Sequence, residues 1–151
     1  MNLKKYFAKI MLELYKDLII DHGLNPRNKY IMKNFTHFSR GFNHFCGDTV
    51  VIYINIINNT IKELSFDGSG CSISTASASL MTLILKDKCL DEAYTIFYYF
   101  QNLIKNKTDI NNIYKDINIL ASVNKFPSRV KCATLVWHTF KDAVDIKILE
   151  V

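Results

Sequence analysis

Along the first two dozen residues the apolar side chains Leu3, Phe7, Ile10, Met11, Leu14 and Leu18 recur in steps of three and four. That is the period of one helix face, and it predicts a helix ending near Gly23, just ahead of Asn25-Pro26. From Thr49 to Ile57 the residues TVVIYINII are β-branched and aromatic, and after the turn signal Asn58-Asn59 the run TIKELSF alternates in the same way. Two such runs around a short polar turn predict a β-hairpin. The stretch Thr36 to Phe45 supplies a third strand, interrupted by Gly41. Beyond DGSGC the helical period returns in Ile73, Ala76, Ser77, Leu80, Leu83 and Ile84, so a helix begins just after Cys71. A further helix is expected over Leu90 to Ile104. A short amphipathic one, marked by Ile110, Ile113, Tyr114 and Ile117, lies in an asparagine-rich segment. Pro127 opens a last helix, with Ala133, Val136, Trp137, Phe140 and Val144 as its apolar face. Strands come in one block and helices follow, which predicts the α+β class: a small three-stranded antiparallel sheet with helices packed on one face. At 151 residues the chain is expected to be one domain, 1–151.

Composition narrows the function classes. Apolar residues make up 49% and charged ones 22%, as in an ordinary globular protein. No apolar run approaches the roughly 18 residues of a transmembrane helix, and no membrane association is expected. The first helix mixes lysines and acids into its apolar pattern, unlike a secretory signal. The formal charge is +5, but the 16 lysines and 3 arginines are scattered, so no nucleic-acid partner is expected. Four cysteines are too few and too far apart for a disulfide framework. Free thiols and a cytoplasmic location follow, and the thiols are then available for metal or sulfur chemistry.

Three of the four cysteines occupy special places. In CGD, Cys46 and Asp48 flank a glycine, so a tight turn brings a thiolate and a carboxylate toward one point. Cys71 sits at a helix start, where unpaired N–H groups and the helix dipole favour a thiolate, and Cys132 in the first turns of the last helix is expected to feel a weaker version of that field. Three thiolates and a carboxylate make a four-ligand set that suits Zn²⁺, with an iron–sulfur cluster as the other soft-ligand option. The spacing is not that of a zinc finger, so the fold has to assemble the site. Small buried hydrophobes are the alternative role for the same cysteines. A nucleophilic Cys71 of a hydrolase is another, but no histidine stands at a recognisable spacing from it. Cys89, in KCLDEA, is expected not to be a ligand.

The segments DHGLNPRN (Asp21 to Asn28), NHFCGD (Asn43 to Asp48), FDGSGCSISTASASLM (Phe66 to Met81) and FPSRVKCATLVW (Phe126 to Trp137) together resemble the U-type iron–sulfur assembly family, the NifU N-terminal-like family that includes the IscU and SufU branches. The resemblance runs from the first helix to the last. It implies a SufE/NifU-like fold and a metal or cluster site made of Cys46, Asp48, Cys71 and Cys132. Scaffold-type members carry a histidine just before the third cysteine; here Lys131 stands there and Arg129 two residues earlier. With a longer stretch between Cys71 and Cys132, this resembles the SufU branch. That branch implies zinc and a sulfurtransferase activity. A SufS-type cysteine desulfurase would donate persulfide sulfur, a histidine of the desulfurase would displace Cys46 from zinc, and Cys46 would be the acceptor. Downstream iron–sulfur assembly proteins would receive the product, and Arg129 and Lys131 would steady the transferring sulfur or simply be solvated charges. The alternative is an IscU-like scaffold holding a transient [2Fe–2S] cluster on the same residues. His44 replaces the family's usual proline. In an extended strand it would share a face with Cys46 and make a spare ligand. His22 is expected to order the end of the first helix rather than to do chemistry.

Overall fold

A computed structural model describes residues 2–109 and 113–146. Helix α1 (Leu3–Leu24), capped by the Asn2 side chain, leads into strands β1 (His37–Asn43), β2 (Asp48–Ile57) and β3 (Thr60–Ser69). Helices α2 (Ser72–Leu85), α3 (Leu90–Ile104) and α4 (Lys115–Ala121) follow, then a 3₁₀ turn (Ser122–Lys125) and α5 (Pro127–Ile146). The strands pair antiparallel in the order β1-β2-β3. Asn58 and Asn59 both adopt positive φ, at 51° and 62°, the two-residue turn whose twist matches a hairpin. The predicted α+β class with a three-stranded antiparallel sheet is what the chain forms.

Alternation along the strands decides where the core lies. Val50, Ile52, Ile54, Ile61, Leu64 and Phe66 are all buried on one sheet face, and α2 and α5 pack there. Gly41 does not break β1. A Cβ at this position would stand 2.1 Å from Thr139 Oγ1 and 3.1 Å from Leu135 Cδ1, so the missing side chain is what lets α5 lie close on β1. Small residues on α2 serve the same end. The Ser77 hydroxyl donates to the Ala133 carbonyl at 2.6 Å and accepts from Trp137 Nε1 at 3.1 Å, which satisfies the polar edge of a fully buried indole.

Two expectations need correction. Helix α1 does form, but Leu3 and Leu14 are exposed (70% and 45%), while among its described side chains Tyr15, Ile19 and His22 are buried. The side chains of Phe7 and Met11 lie outside the described residues, and the part of α1 seen in the core includes a tyrosine and a histidine that an apolar pattern does not count. The short helix expected around Ile110 to Ile117 is found as α4, Lys115–Ala121, with Ile113 and Tyr114 ahead of it. Ile117, Leu120 and Ala121 are buried, whereas Ile113 is 78% exposed; Ile110 lies outside the described residues. Tyr114, at φ −110° and ψ 65°, precedes the first helical turn.

The Asn25–Phe35 segment ties α1 to the rest. Ser79 Oγ on α2 accepts from the Arg27 backbone N–H at 2.8 Å and meets His22 Nδ1 at 2.7 Å, while Asn28 reaches Thr82 Oγ1 at 3.0 Å. Arg27 also pairs with Asp21 at 2.7 Å. The DHGLNPRN motif therefore builds the corner after α1, and His22 has the ordering role expected of it.

Candidate metal centre

The loop between β1 and β2 is four residues, His44 to Gly47, closed by the Gly47 N–H on the Asn43 carbonyl at 2.8 Å. Gly47 has φ +71°, a conformation that glycine adopts without strain. The turn brings the Cys46 thiol onto Asp48, the first residue of β2, with Sγ 2.8 Å from Oδ2. Asp48 is 2% exposed, and each carboxylate oxygen has its own donors. Oδ1 accepts from the Cys71 backbone N–H at 3.0 Å, and Oδ2 from the Ser74 hydroxyl at 2.6 Å. Burial works against ionisation of this carboxyl, but the hydrogen bonds from Cys46, Ser74 and Cys71 outweigh it and hold the pKa below the usual value.

Gly70 allows that approach. A Cβ there would lie 2.9 Å from Asp48 Oδ1. Cys71 is the N-cap of α2, and its sulfur accepts from the Ser74 N–H at 3.5 Å. Its Sγ stands 3.8 Å from Asp48 Oδ2. Cys132, on the second turn of α5, is buried with Sγ 3.7 Å from that of Cys46. The Ser74 hydroxyl also lies 3.0 Å from the Cys132 carbonyl, so this one side chain bridges β2 to α5. The donor atoms of Cys46, Asp48 and Cys132 all fall within 4.8 Å of one another; Cys71, engaged in capping α2, stands outside that group but against Asp48. At Cys132 the weak helix-end field expected there is outweighed. Burial first, and then the Cys46 and Cys71 sulfurs, push its thiol up to about 12.

The outer rim carries the cations. Arg129 and Lys131 are both exposed on the first turns of α5, with no carboxylate partner at ion-pair distance among the described residues. With Asn43, Phe45, Cys46, Ser128 and Cys132 they line an open cavity of about 420 Å³. Cys46 is the exposed cysteine of the cluster and forms part of the cavity wall.

Among the expected residues, Cys46, Asp48, Cys71 and Cys132 converge from three segments, with Arg129 and Lys131 beside them. His44 does not join. β1 ends at Asn43, so residues 44 to 46 form a turn rather than the extended strand that would align His44 with Cys46, and the His44 ring packs edge-on against Phe42 at 4.6 Å. Cys89 stands at the N-cap position of α3 without a side-chain capping hydrogen bond, exposed and not among the grouped donors. Sequence reasoning missed Ser74 and Phe45. Ser74 had a signal, since it stands three residues after Cys71 on the first helical turn, where a hydroxyl can reach whatever the N-terminus binds. Phe45 had none beyond its place beside Cys46.

The fold and this cluster define a small α+β protein with a sulfur-rich group of side chains able to hold a metal ion. The family model for the NifU-like N-terminal domain matches residues 14–133, and the chain belongs to that family. It is 36% identical over 132 residues to the zinc-dependent sulfurtransferase SufU of Bacillus subtilis, covering 87% of this chain and 89% of that one. It is also 27% identical to the iron–sulfur cluster assembly scaffold protein IscU of Thermotoga maritima, over 87% and 92% of the two chains. The crystal structure of SufU from Fervidobacterium islandicum, described as a cluster assembly scaffold for the SUF system, superposes with a TM-score of 0.81 at 29% identity, covering 85% and 94%.

Proposed function

We propose that this chain is a zinc-dependent sulfur carrier that accepts persulfide sulfur from a SufS-type cysteine desulfurase and delivers it to downstream iron–sulfur assembly proteins in the cytoplasm. The observation that carries the reading is the clustering of the Cys46, Asp48 and Cys132 donor atoms within 4.8 Å, with Cys71 against Asp48. Three sulfurs and one carboxylate fit Zn²⁺ by donor chemistry, and Cys46, Asp48, Cys71 and Cys132 would hold it. Bound there, the ion would keep the thiols deprotonated and their nucleophilicity muted. Among the described residues no helix is long and apolar enough to cross a membrane.

In the transfer, the Cys46 thiolate attacks the outer sulfur of the donor persulfide. The donor S–S bond breaks, the donor cysteine leaves as a thiolate, and the new S–S bond stands on Cys46, with no net change in electrons. Exposure of Cys46 at the cavity wall suits this role, because Cys132 is buried and Cys71 is occupied at the α2 cap. Arg129 and Lys131 supply positive charge where an anionic sulfur enters and another leaves. Asp48, held by Ser74 and the Cys71 N–H, keeps its place while Cys46 changes partners.

A scaffold reading, in which the same four residues hold a [2Fe–2S] cluster, draws on the IscU relatives. Lys131 weighs against it, since an ammonium cannot ligate iron. Metal analysis of the purified protein tests the ligand set. About one zinc per chain is expected, lost in Cys46→Ser, Cys71→Ser, Cys132→Ser and Asp48→Ala but kept in Cys89→Ser; loss in Cys89→Ser with retention in any of the others would refute it.

A further inference from the structure

Lys131 and Phe45 come from different elements, α5 and the β1–β2 loop, yet the Lys131 ammonium lies 4.0 Å from the centroid of the Phe45 ring. A lysine on an exposed helix turn has many rotamers open to it, and among the described residues no carboxylate stands at ion-pair distance from this one. The ring is what holds it. Phe45 itself is 83% exposed and adds almost nothing to the core. Its backbone is nonetheless fixed, because its N–H donates to Oδ1 of the buried Asn43 at 3.0 Å and Gly47 closes the same loop on the Asn43 carbonyl. A rigid turn thus presents an aromatic face beside Cys46, and the face carries a cation to the rim of the cavity that Cys46 and Cys132 share.

We propose that Phe45 is a positioning residue for sulfur transfer: its ring holds the Lys131 ammonium at the mouth of the cavity beside Cys46, where that charge meets an anionic persulfide. The inference rests on the sulfur-carrier reading and adds a residue and a substrate preference to it. An anionic perthiolate is favoured over a neutral di- or trisulfide, because the held charge acts on charge. Without the ring, Lys131 spends most of its time in solvent and the entering sulfur meets it only by chance. An exposed cation–π contact corresponds to about a two- to fivefold effect.

The test is a double-mutant cycle. Sulfur transfer from a SufS-type desulfurase supplied with L-cysteine is measured against the concentration of this chain for wild type, Phe45→Leu, Phe45→Trp, Lys131→Met and Phe45→Leu/Lys131→Met, with zinc content determined in each. Phe45→Leu is expected to lower kcat/KM about two- to fivefold, Phe45→Trp to restore it, and Phe45→Leu to cost nothing further once Lys131 is Met, all at unchanged zinc content. Separately, NMR should show the Lys131 ε-methylene protons displaced upfield by the ring in wild type and Phe45→Trp but not in Phe45→Leu. Effects of the two single variants that multiply would mean Phe45 meets the donor protein directly and would overturn the proposal, as would the absence of the ring-current displacement. A wild-type chain that keeps the displacement yet accepts no sulfur would overturn the carrier reading instead, and with it the role given to Lys131.

Discussion

Ser74→Ala isolates the support beneath the cluster. The Ser74 hydroxyl is buried and donates to Asp48 Oδ2 at 2.6 Å, and removing it leaves that oxygen with the Cys46 thiol at 2.8 Å as its close donor. A hydrogen bond to a buried charged group is worth about 1.5–3 kcal/mol, so the metal-free protein should lose stability of that order in urea unfolding. Its acid sensitivity should shift as well. Because the folded pKa of Asp48 lies below its unfolded value, the stability it contributes is full above about pH 4 and is lost as pH falls through the folded pKa. Without Ser74 that folded pKa rises, the contribution shrinks, and the remaining loss on acidification is complete closer to pH 4. Outer partners of metal ligands are worth about 10- to 100-fold in affinity, so competition with a chromogenic chelator should show zinc held more weakly by such a factor. Unchanged unfolding midpoints and unchanged chelator competition together would refute the claim that Ser74 sets Asp48.

Other perturbations test the frame and the branch assignment. Gly41→Ala drives a Cβ to 2.1 Å from Thr139 Oγ1 and should destabilise by about 1–3 kcal/mol as α5 is forced off β1; a wild-type melting temperature would show that the helix has slack there. Burial holds the His22 pKa below the usual imidazole value, with Arg27 adding to the effect and Asp21 and Asp116 opposing it. Stability from its neutral form is therefore full above about pH 6.5 and falls as pH drops below that, so His22→Gln should flatten the pH dependence below about pH 6.5, and parallel curves would contradict this. Lys131→His places an imidazole able to ligate iron beside Cys132, and reconstitution with ferrous iron and sulfide should then give a longer-lived cluster spectrum than wild type; equal lifetimes would remove Lys131 as the discriminating residue.

Much of this architecture is legible in the chain because burial is one-sided. The β2 strand alternates since the helices pack on one sheet face, and the asparagine turn of the β2–β3 hairpin carries its own backbone preference. The start of α2 was readable from DGSGC followed by a change of period. In α1 the leucines Leu3 and Leu14 are exposed while Tyr15 and His22 are buried, and a count of apolar residues cannot see that difference. The asparagine-rich segment misled for a related reason, since Ile113 lies outside the helix and is exposed. Of the site, the cysteines and Asp48 announced themselves by glycine neighbours and helix starts. The turn at His44, the raised Cys132 thiol and the pairing of Phe45 with Lys131 depend on contacts between distant segments, which spacing does not encode.

Locating the transferred sulfur is the sharpest check on uptake at Cys46. The zinc-loaded chain is incubated with a SufS-type desulfurase and L-cysteine, separated from it, alkylated and mapped by peptide mass spectrometry. One added sulfur atom is expected on the Cys46 peptide, and none at that position in Cys46→Ser. Sulfur found on Cys71 or Cys132 with Cys46 unmodified, or no added sulfur alongside a stable [2Fe–2S] cluster that passes intact to an apo-ferredoxin, would contradict it.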